Sequence, residues 1–269
     1  MYAKNLNALL FSKRHSHHQI KGAFSLRTLQ APEQGNLALH VCQNPQDVLK
    51  SRMIWQNQTL PLENWILPWQ KHTAKVQRVY ASDQGKGAYE ASTSILETDG
   101  LYTTDPNTLI GVFTADCLGI LMADPSVPVI AAVHSGWKGT AQAITIQMLE
   151  SLKKDGLLHP ETLHIYFSPS LMTSSLEVGP EVIEQIQAMA NCYGLDLQGC
   201  IVPGQNDRSY LNNQAVNMRM ALGYGIPLEN LHASNLDTKT NPYGFSYRRD
   251  GKKTGEHFSC LWIESLLKE

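Results

Sequence analysis

Nowhere does the chain approach the roughly 20 consecutive apolar residues that a membrane-spanning helix needs. Its first segment, Met1 to Arg14, has too short an apolar centre for a secretory signal. No membrane partner is expected. An excess of one charge is also missing. The 22 Lys and Arg stand against 24 Asp and Glu, and a formal net charge of −2 offers nucleic acid no general attraction. Paired cysteine spacings are absent too. Cys42, Cys117, Cys192, Cys200 and Cys260 are odd in number and scattered, which favours reduced thiols and a cytoplasmic setting. There is no internal repeat and no low-complexity linker. What is present is ordinary: 269 residues, 42% hydrophobic and 17% charged, can bury one large core or two small ones and are too apolar for a disordered chain.

Periodicity gives the elements. A helix is expected from Pro45 to about Gln56, with Val48, Arg52 and Met53 spaced over its turns. Two to four strands should follow between Val76 and Val133, including the unbroken apolar run Val129–Val133. Next, Ala141, Ile144, Met148, Leu149 and Leu152 share one helical face, with Thr140 as N-cap and Asp155-Gly156 as the stop. A strand over Leu163–Phe167 precedes a helix that starts near Pro180 and buries Val182, Ile183, Ile186 and Met189. Another helix runs from about Leu211 to Leu222, and the chain returns to strand over His257–Ile263. Residues 12–22 are polar and basic; His15, His17 and His18 read as part of a solvated loop, with adventitious metal binding as the alternative. Strands and helices alternate imperfectly, so the fold class is α/β or α+β with mixed sheets.

Chemistry concentrates at two strand ends. Cys117 and His134 are expected at the ends of two apolar strands, each followed by a turn, which suits a metal site or a Cys–His nucleophile pair. A catalytic zinc needs a third protein ligand, and His72, ahead of a possible strand Val76–Tyr80, is a candidate. Against these stand plainer readings: a strand cysteine is usually a small buried hydrophobe, and a histidine is more often a surface or core residue. Gly136 and Gly139 permit an irregular turn after His134, and that turn feeds a helix N-terminus where Lys138 adds charge, a place for an anion. In Phe245–Gly255, only one of Arg248 and Arg249 could face a pocket from an extended strand; spacing slightly favours a hairpin turning at Asp250-Gly251 with solvated charges. The polar loop Ser168–Gly179 follows a strand, as loops over active sites often do. Asp99 and Asp116 are candidates for polar support, Asp116 either orienting a ligand or capping a turn.

Three ordered motifs resemble the laccase-domain family, whose members are variously called polyphenol oxidases, purine nucleoside phosphorylases or peptidoglycan editing factors. They are Thr114-Ala-Asp-Cys-Leu-Gly-Ile-Leu121, Val133-His-Ser-Gly-Trp-Lys-Gly139 and Phe245-Ser-Tyr-Arg-Arg-Asp-Gly251. Phe24–Arg27 with Asn36–His40, Thr98-Asp-Gly100 and Leu176-Glu-Val-Gly179 extend the match over about residues 22–263. The resemblance implies a single domain over 1–269 with a layered α/β-β/α core, residues 1–21 being a peripheral extension. It also implies a metal, usually taken as zinc, on His72, Cys117 and His134. The chain departs from the family pattern at Lys71 and Thr73 beside His72, at Ser174, Ser175 and Leu176, and at Asp237. Each ligand position is kept.

The favoured function is then a zinc-dependent enzyme on purine nucleosides, by phosphorolysis of adenosine or inosine or by adenosine deamination. Arg248 and Lys138 would handle phosphate, while Asn36 and the Ser168 loop would contact the nucleoside. Copper-dependent oxidation of phenols is the second reading. Four coppers need many convergent histidines, and only two histidines and one cysteine converge here. The third is a Cys117–His134 hydrolase acting on a peptidoglycan precursor. A small-molecule substrate, no nucleic acid, and a monomer or weak homo-oligomer complete the expectation.

Overall fold

A computed structural model describes residues 8–15 and 18–266. The chain opens with β1 (Ala8–His15) and β2 (His18–Ser25), then α1 (Pro45–Gln56), β3 (Trp65–Ile66) and β4 (Val76–Arg78). Four longer strands follow: β5 (Gly100–Thr103), β6 (Leu109–Thr114), β7 (Leu118–Asp124) and β8 (Val129–Ser135). Helices α2 (Trp137–Ala141) and α3 (Ile144–Lys154) lead to β9 (His164–Phe167), β10 (Glu177–Val178) and α4 (Pro180–Tyr193). The last third holds β11 (Ile201–Pro203), β12 (Ser209–Leu211), α5 (Asn213–Gly223), β13 (Leu231–His232), α6 (Tyr247–Asp250) and β14 (His257–Ser265).

Two mixed sheets carry the fold, in the orders β1-β2-β14-β6-β3 and β13-β9-β7-β8-β5-β4, and β10-β12-β11 form a small third one. Side-chain alternation explains why the apolar runs are continuous. In β7 and β8, Ile120, Met122, Ala131 and Val133 pack on Ile144, Met148 and Leu152 of α3, whereas Leu121, Ala123, Ile130 and Ala132 meet Ile110, Val112 and Leu261 of the other sheet. Outside that sheet, Trp55 of α1 packs with Trp65, Phe113 and Phe258. The layers are therefore helix, sheet, sheet, helix, an α/β architecture with mixed sheets. The two sheets approach closely at Gly119, where a Cβ would come within 2.4 Å of the Ser259 hydroxyl.

Several elements differ from the sequence expectation. Residues 12–15 and 18–22 belong to the antiparallel pair of β1 and β2, because β2 is an interior strand held on its far side by β14. Phe11 of β1 stacks on Tyr166 of the other sheet at 3.6 Å. Within the segment 1–21, residues 1–7 and 16–17, His17 among them, lie outside the described residues. Five strands, β4 to β8, occupy Val76–Ser135. The single helix expected after His134 is two: Ala143 takes a left-handed φ of 57°, and Thr140 lies inside α2 rather than capping it. The Thr140 hydroxyl is drawn instead into a buried network with Ser135 and Asn213. In α1 the buried face is Val48, Ser51, Arg52 and Trp55, so Met53 points to solvent.

One buried histidine ties the ends of the chain together. His257 Nδ1 donates to the Ser25 carbonyl at 2.7 Å, and its Nε2 accepts the Phe245 N–H at 2.8 Å. That pairing requires the neutral ring, and burial pulls its pKa down from 6.5 to about 4. Because the unfolded chain takes up this proton first, the stability the neutral ring carries is present above pH 6.5 and lost as pH falls towards 4. The loss is on the order of 3 kcal/mol. Urea unfolding across that pH window should show a steep decline in the wild-type protein. In His257→Gln the decline should be shallower by about one proton, and an unchanged slope would contradict the assignment.

Candidate metal centre

The site forms where β7 begins and β8 ends. Leu118 pairs with Ser135 and Gly119 with His134, so Cys117, one residue before β7, arrives beside the end of β8. His134 has the parity of Ile130 and Ala132 and is turned towards the opposite sheet. His72 comes from the loop between β3 and β4. The ligand atoms of His72, Cys117 and His134 lie within 4.8 Å of one another, the two imidazoles nearly perpendicular at a centroid distance of 4.6 Å. Cys117 Sγ is 3.8 Å from His72 Nε2. Among the described residues no other group of three His, Cys, Asp or Glu side chains converges in this way.

Asp99, placed just ahead of β5, holds the arrangement. Its carboxylate accepts the backbone N–H groups of Lys71, His72 and Thr73 at 3.1, 3.0 and 2.8 Å, and the Thr73 hydroxyl at 2.8 Å. It also faces His134 Nδ1 at 2.8 Å, which leaves Nε2 as the ring's free nitrogen. The main chains add a bond from His134 N to the Asp99 carbonyl at 2.7 Å. His72 sits at a φ of 58°, a left-handed conformation that costs a histidine energy and that the Asp99 bonds compensate. Burial pushes the Asp99 carboxyl up, but His134 and Thr73 outweigh it and hold its pKa at about 2. For Cys117 burial likewise pushes up, and the two imidazoles reverse this, bringing the thiol to about 7. Burial pulls His134 down, and Asp99 with Cys117 lifts it to about 10.

The three side chains open into a cavity of about 1020 Å³. Lys138 lines it, its ammonium 5.7 Å from the Trp137 ring. So does Arg248, through a helical turn rather than the expected hairpin: Ser246 caps α6 by accepting the Arg249 N–H. Arg248 extends to the carbonyls of Ser175 and Glu177, whereas Arg249 bonds the carbonyls of Thr238, Lys239, Asn241 and Gly244 and the Asp250 carboxylate. Of its two expected roles Asp116 takes the turn-capping one, at the first turn of α6. It accepts the Thr238 hydroxyl and the Arg248 N–H, fixing α6 over the cavity.

Two of the side chains expected to contact substrate are absent from the cavity wall. Asn36 is fully buried and bonds Ala38, Val41 and Glu256, a loop-holding role. Ser168 is equally buried, accepting the Gly119 N–H and donating to the Pro169 carbonyl. Its loop still reaches the cavity, through Leu171 and Leu176. Tyr247 and Gln70 also line the wall, and the sequence carried no signal for either.

Replacing Asp99 with Asn puts an amide N–H₂ against a site crowded with donors. Asp99→Asn should lose about 2–4 kcal/mol of unfolding free energy. Urea unfolding in the presence of a chelator measures this, and a loss under about 0.5 kcal/mol would refute the role given to the carboxylate.

Residues 14–264 match the family described as multi-copper polyphenol oxidoreductase laccase. The chain is 29% identical over 233 residues to purine nucleoside phosphorylase YlmD of Bacillus subtilis, covering 85% of this chain and 82% of that one. It is 33% identical over 181 residues to a purine nucleoside phosphorylase of Clostridium acetobutylicum, with 64% and 70% covered. The crystal structure of the hypothetical protein YfiH of Bacillus licheniformis superposes with a TM-score of 0.84 at 25% identity, over 95% of this chain and 99% of the other. YlmD of Geobacillus stearothermophilus has the same fold, with a TM-score of 0.85 at 23% identity and the same coverage. The chain belongs to the multi-copper polyphenol oxidoreductase laccase family.

Proposed function

We propose that this protein is a metal-dependent purine nucleoside phosphorylase, with zinc held by His72, Cys117 and His134. The observation that carries the reading is the convergence of two imidazoles and a thiol in one cavity, with His134 already oriented through Asp99. The donor set suits zinc, which favours nitrogen and sulfur ligands and leaves a fourth position open in catalytic sites. Gly136 supports the fit: a Cβ there would lie 2.8 Å from Cys117 Sγ and 3.0 Å from the His72 ring, so only glycine leaves that space free. The chemistry such an ion supplies is Lewis acidity towards an oxygen ligand.

The remaining roles fall to the chain. Lys138 and Arg248 would hold inorganic phosphate by charge and by the planar donors of the guanidinium. Trp137, Leu171, Leu176 and Tyr247 give the purine apolar and aromatic surface. Phosphorolysis joins a phosphate oxygen to the anomeric carbon as the glycosidic C–N bond breaks, its electron pair leaving with the purine, which takes up a proton. Adenosine deamination would use the same cavity, with water in place of phosphate and ammonia leaving from the purine. Copper oxidation of phenols has less support, because the described residues offer one ligand group and not the several a multicopper enzyme needs. One observation favours a second reading, the Cys–His nucleophile: the Cys117 thiol is drawn down to about 7 beside His134.

Metal content of tag-free protein by mass spectrometry decides between them, together with phosphate-dependent cleavage of adenosine and inosine. About one zinc per chain is expected. In Cys117→Ala and Gly136→Ala zinc should be lost, and turnover should fall on the order of 100-fold or more. Metal-free protein that turns over at full rate and is inactivated by iodoacetamide at Cys117 would overturn the metal reading in favour of the nucleophile.

A further inference from the structure

The charges around the cavity are unequally matched. Two of its three carboxylates are bonded by the protein itself, and the third, Glu256, lies beside His40 with one buried oxygen that has no hydrogen-bond partner. Glu33 accepts the N–H groups of Gln43 and Asn44, Asp116 is bonded by Thr238 and Arg248, and Glu256 faces His40 at 3.0 Å. Five cations share the cavity: Lys71, Lys138, Arg248, Lys252 and Lys253. Among the described residues none of the five forms an ion pair with a carboxylate. Unpaired like charges gathered in one concave site repel each other until an anion joins them.

One phosphate ion does not use them all. Lys138, on α2 just beyond His134, and Arg248 suffice for a dianion. Lys252 and Lys253 line the cavity from a separate stretch of chain, with Thr254 and Glu256, and that stretch is joined to the loop of Glu33, His40 and Gln43 through Glu256–His40 and Glu256–Asn36. Their position is built. They sit on the turn Gly251–Lys253, directly after Asp250, whose carboxylate is paired with Arg249 at 2.7 Å. Arg249 in turn is fixed by four backbone carbonyls. Gly251, at φ 61° and ψ −145°, takes a conformation open to glycine and not to side-chain-bearing residues, and it turns the chain so that both lysines follow on the cavity side.

We infer that the substrate is itself anionic, a purine nucleoside 5′-monophosphate whose phosphate is received by Lys252 and Lys253, while Lys138 and Arg248 keep the attacking phosphate. This rests on the purine nucleoside reading above. Binding is measured separately from turnover, so failure of phosphorolysis and failure of the inference give different results.

Isothermal titration of adenosine and of adenosine 5′-monophosphate into the metal-loaded protein, at low and at high salt, is the test. The monophosphate should bind about tenfold or more tightly than adenosine at low salt, and the advantage should shrink as salt rises. The ratio should collapse towards one in the Lys252→Ala/Lys253→Ala double variant. Lys252→Arg/Lys253→Arg should retain it, as should Lys153→Ala/Lys154→Ala at the far end of α3. Equal affinity for the two ligands, no binding of the monophosphate, or a ratio untouched by the double alanine variant would overturn the inference. Tight monophosphate binding without cleavage of either compound would leave the inference standing and reject phosphorolysis.

Discussion

The Asp99 carboxylate makes one site out of two independent pieces of chain. Without it, the loop carrying His72 would have three backbone N–H groups of consecutive residues to satisfy and a left-handed histidine to pay for. His134 would stand at a strand end with its ring free to turn. All of these converge on two oxygens that are fully buried. A buried carboxylate is tolerated only when its lone pairs are filled, so the arrangement is closed in both directions. The loop needs the carboxylate, and the carboxylate needs the loop.

The sheets supply the other half of the geometry. Because β7 and β8 are buried on both faces, their register is fixed by packing, and a one-residue slip would exchange the helix-facing and sheet-facing sets. Cys117 and His134 inherit that precision. Glycine provides the room: Gly119 lets β14 approach underneath, and Gly136 keeps a Cβ away from the thiol and the imidazole. Rigid strands, a closely packed floor and a left-open centre are what a preorganised site requires.

Elements marked by strong local chemistry were legible in the sequence. Pro45 behind Asn44, and Pro180 behind Gly179, start their helices where the capping rules put them, and α4 ends at a left-handed Gly194. Cys117, His134 and the Lys138 turn were found from strand ends. His72 was one candidate among ten histidines until the resemblance singled it out, because a histidine in a loop carries no periodicity. The hairpin of β1 and β2 was hidden by its polar composition, since its stability comes from β14, more than 230 residues away in the chain. The buried placement of Asn36 and Ser168 was hidden for a related reason. A polar residue in a loop near conspicuous motifs serves a ligand or the loop itself, and only the hydrogen-bond partners tell these apart.

The positions where the chain departs from the family pattern divide by the same criterion. Thr73 adds a hydroxyl to the Asp99 cluster, Ser175 gives its carbonyl to Arg248, and Asp237 accepts the Lys239 N–H within its own loop. These changes are absorbed by the scaffold. Lys71 and Leu176 instead line the cavity, bringing a cation and an apolar chain to the walls around the ligand set. Lys71 is held to Asp99 by its main chain alone, so its side chain is free to vary without disturbing His72. The division has a physical origin: backbone bonds and the buried Asp99 carboxylate fix the geometry of the His72, Cys117 and His134 group, while Lys71 and Leu176 hang from that frame into the cavity. A fold organised in this way can keep one His-Cys-His group and change what surrounds it.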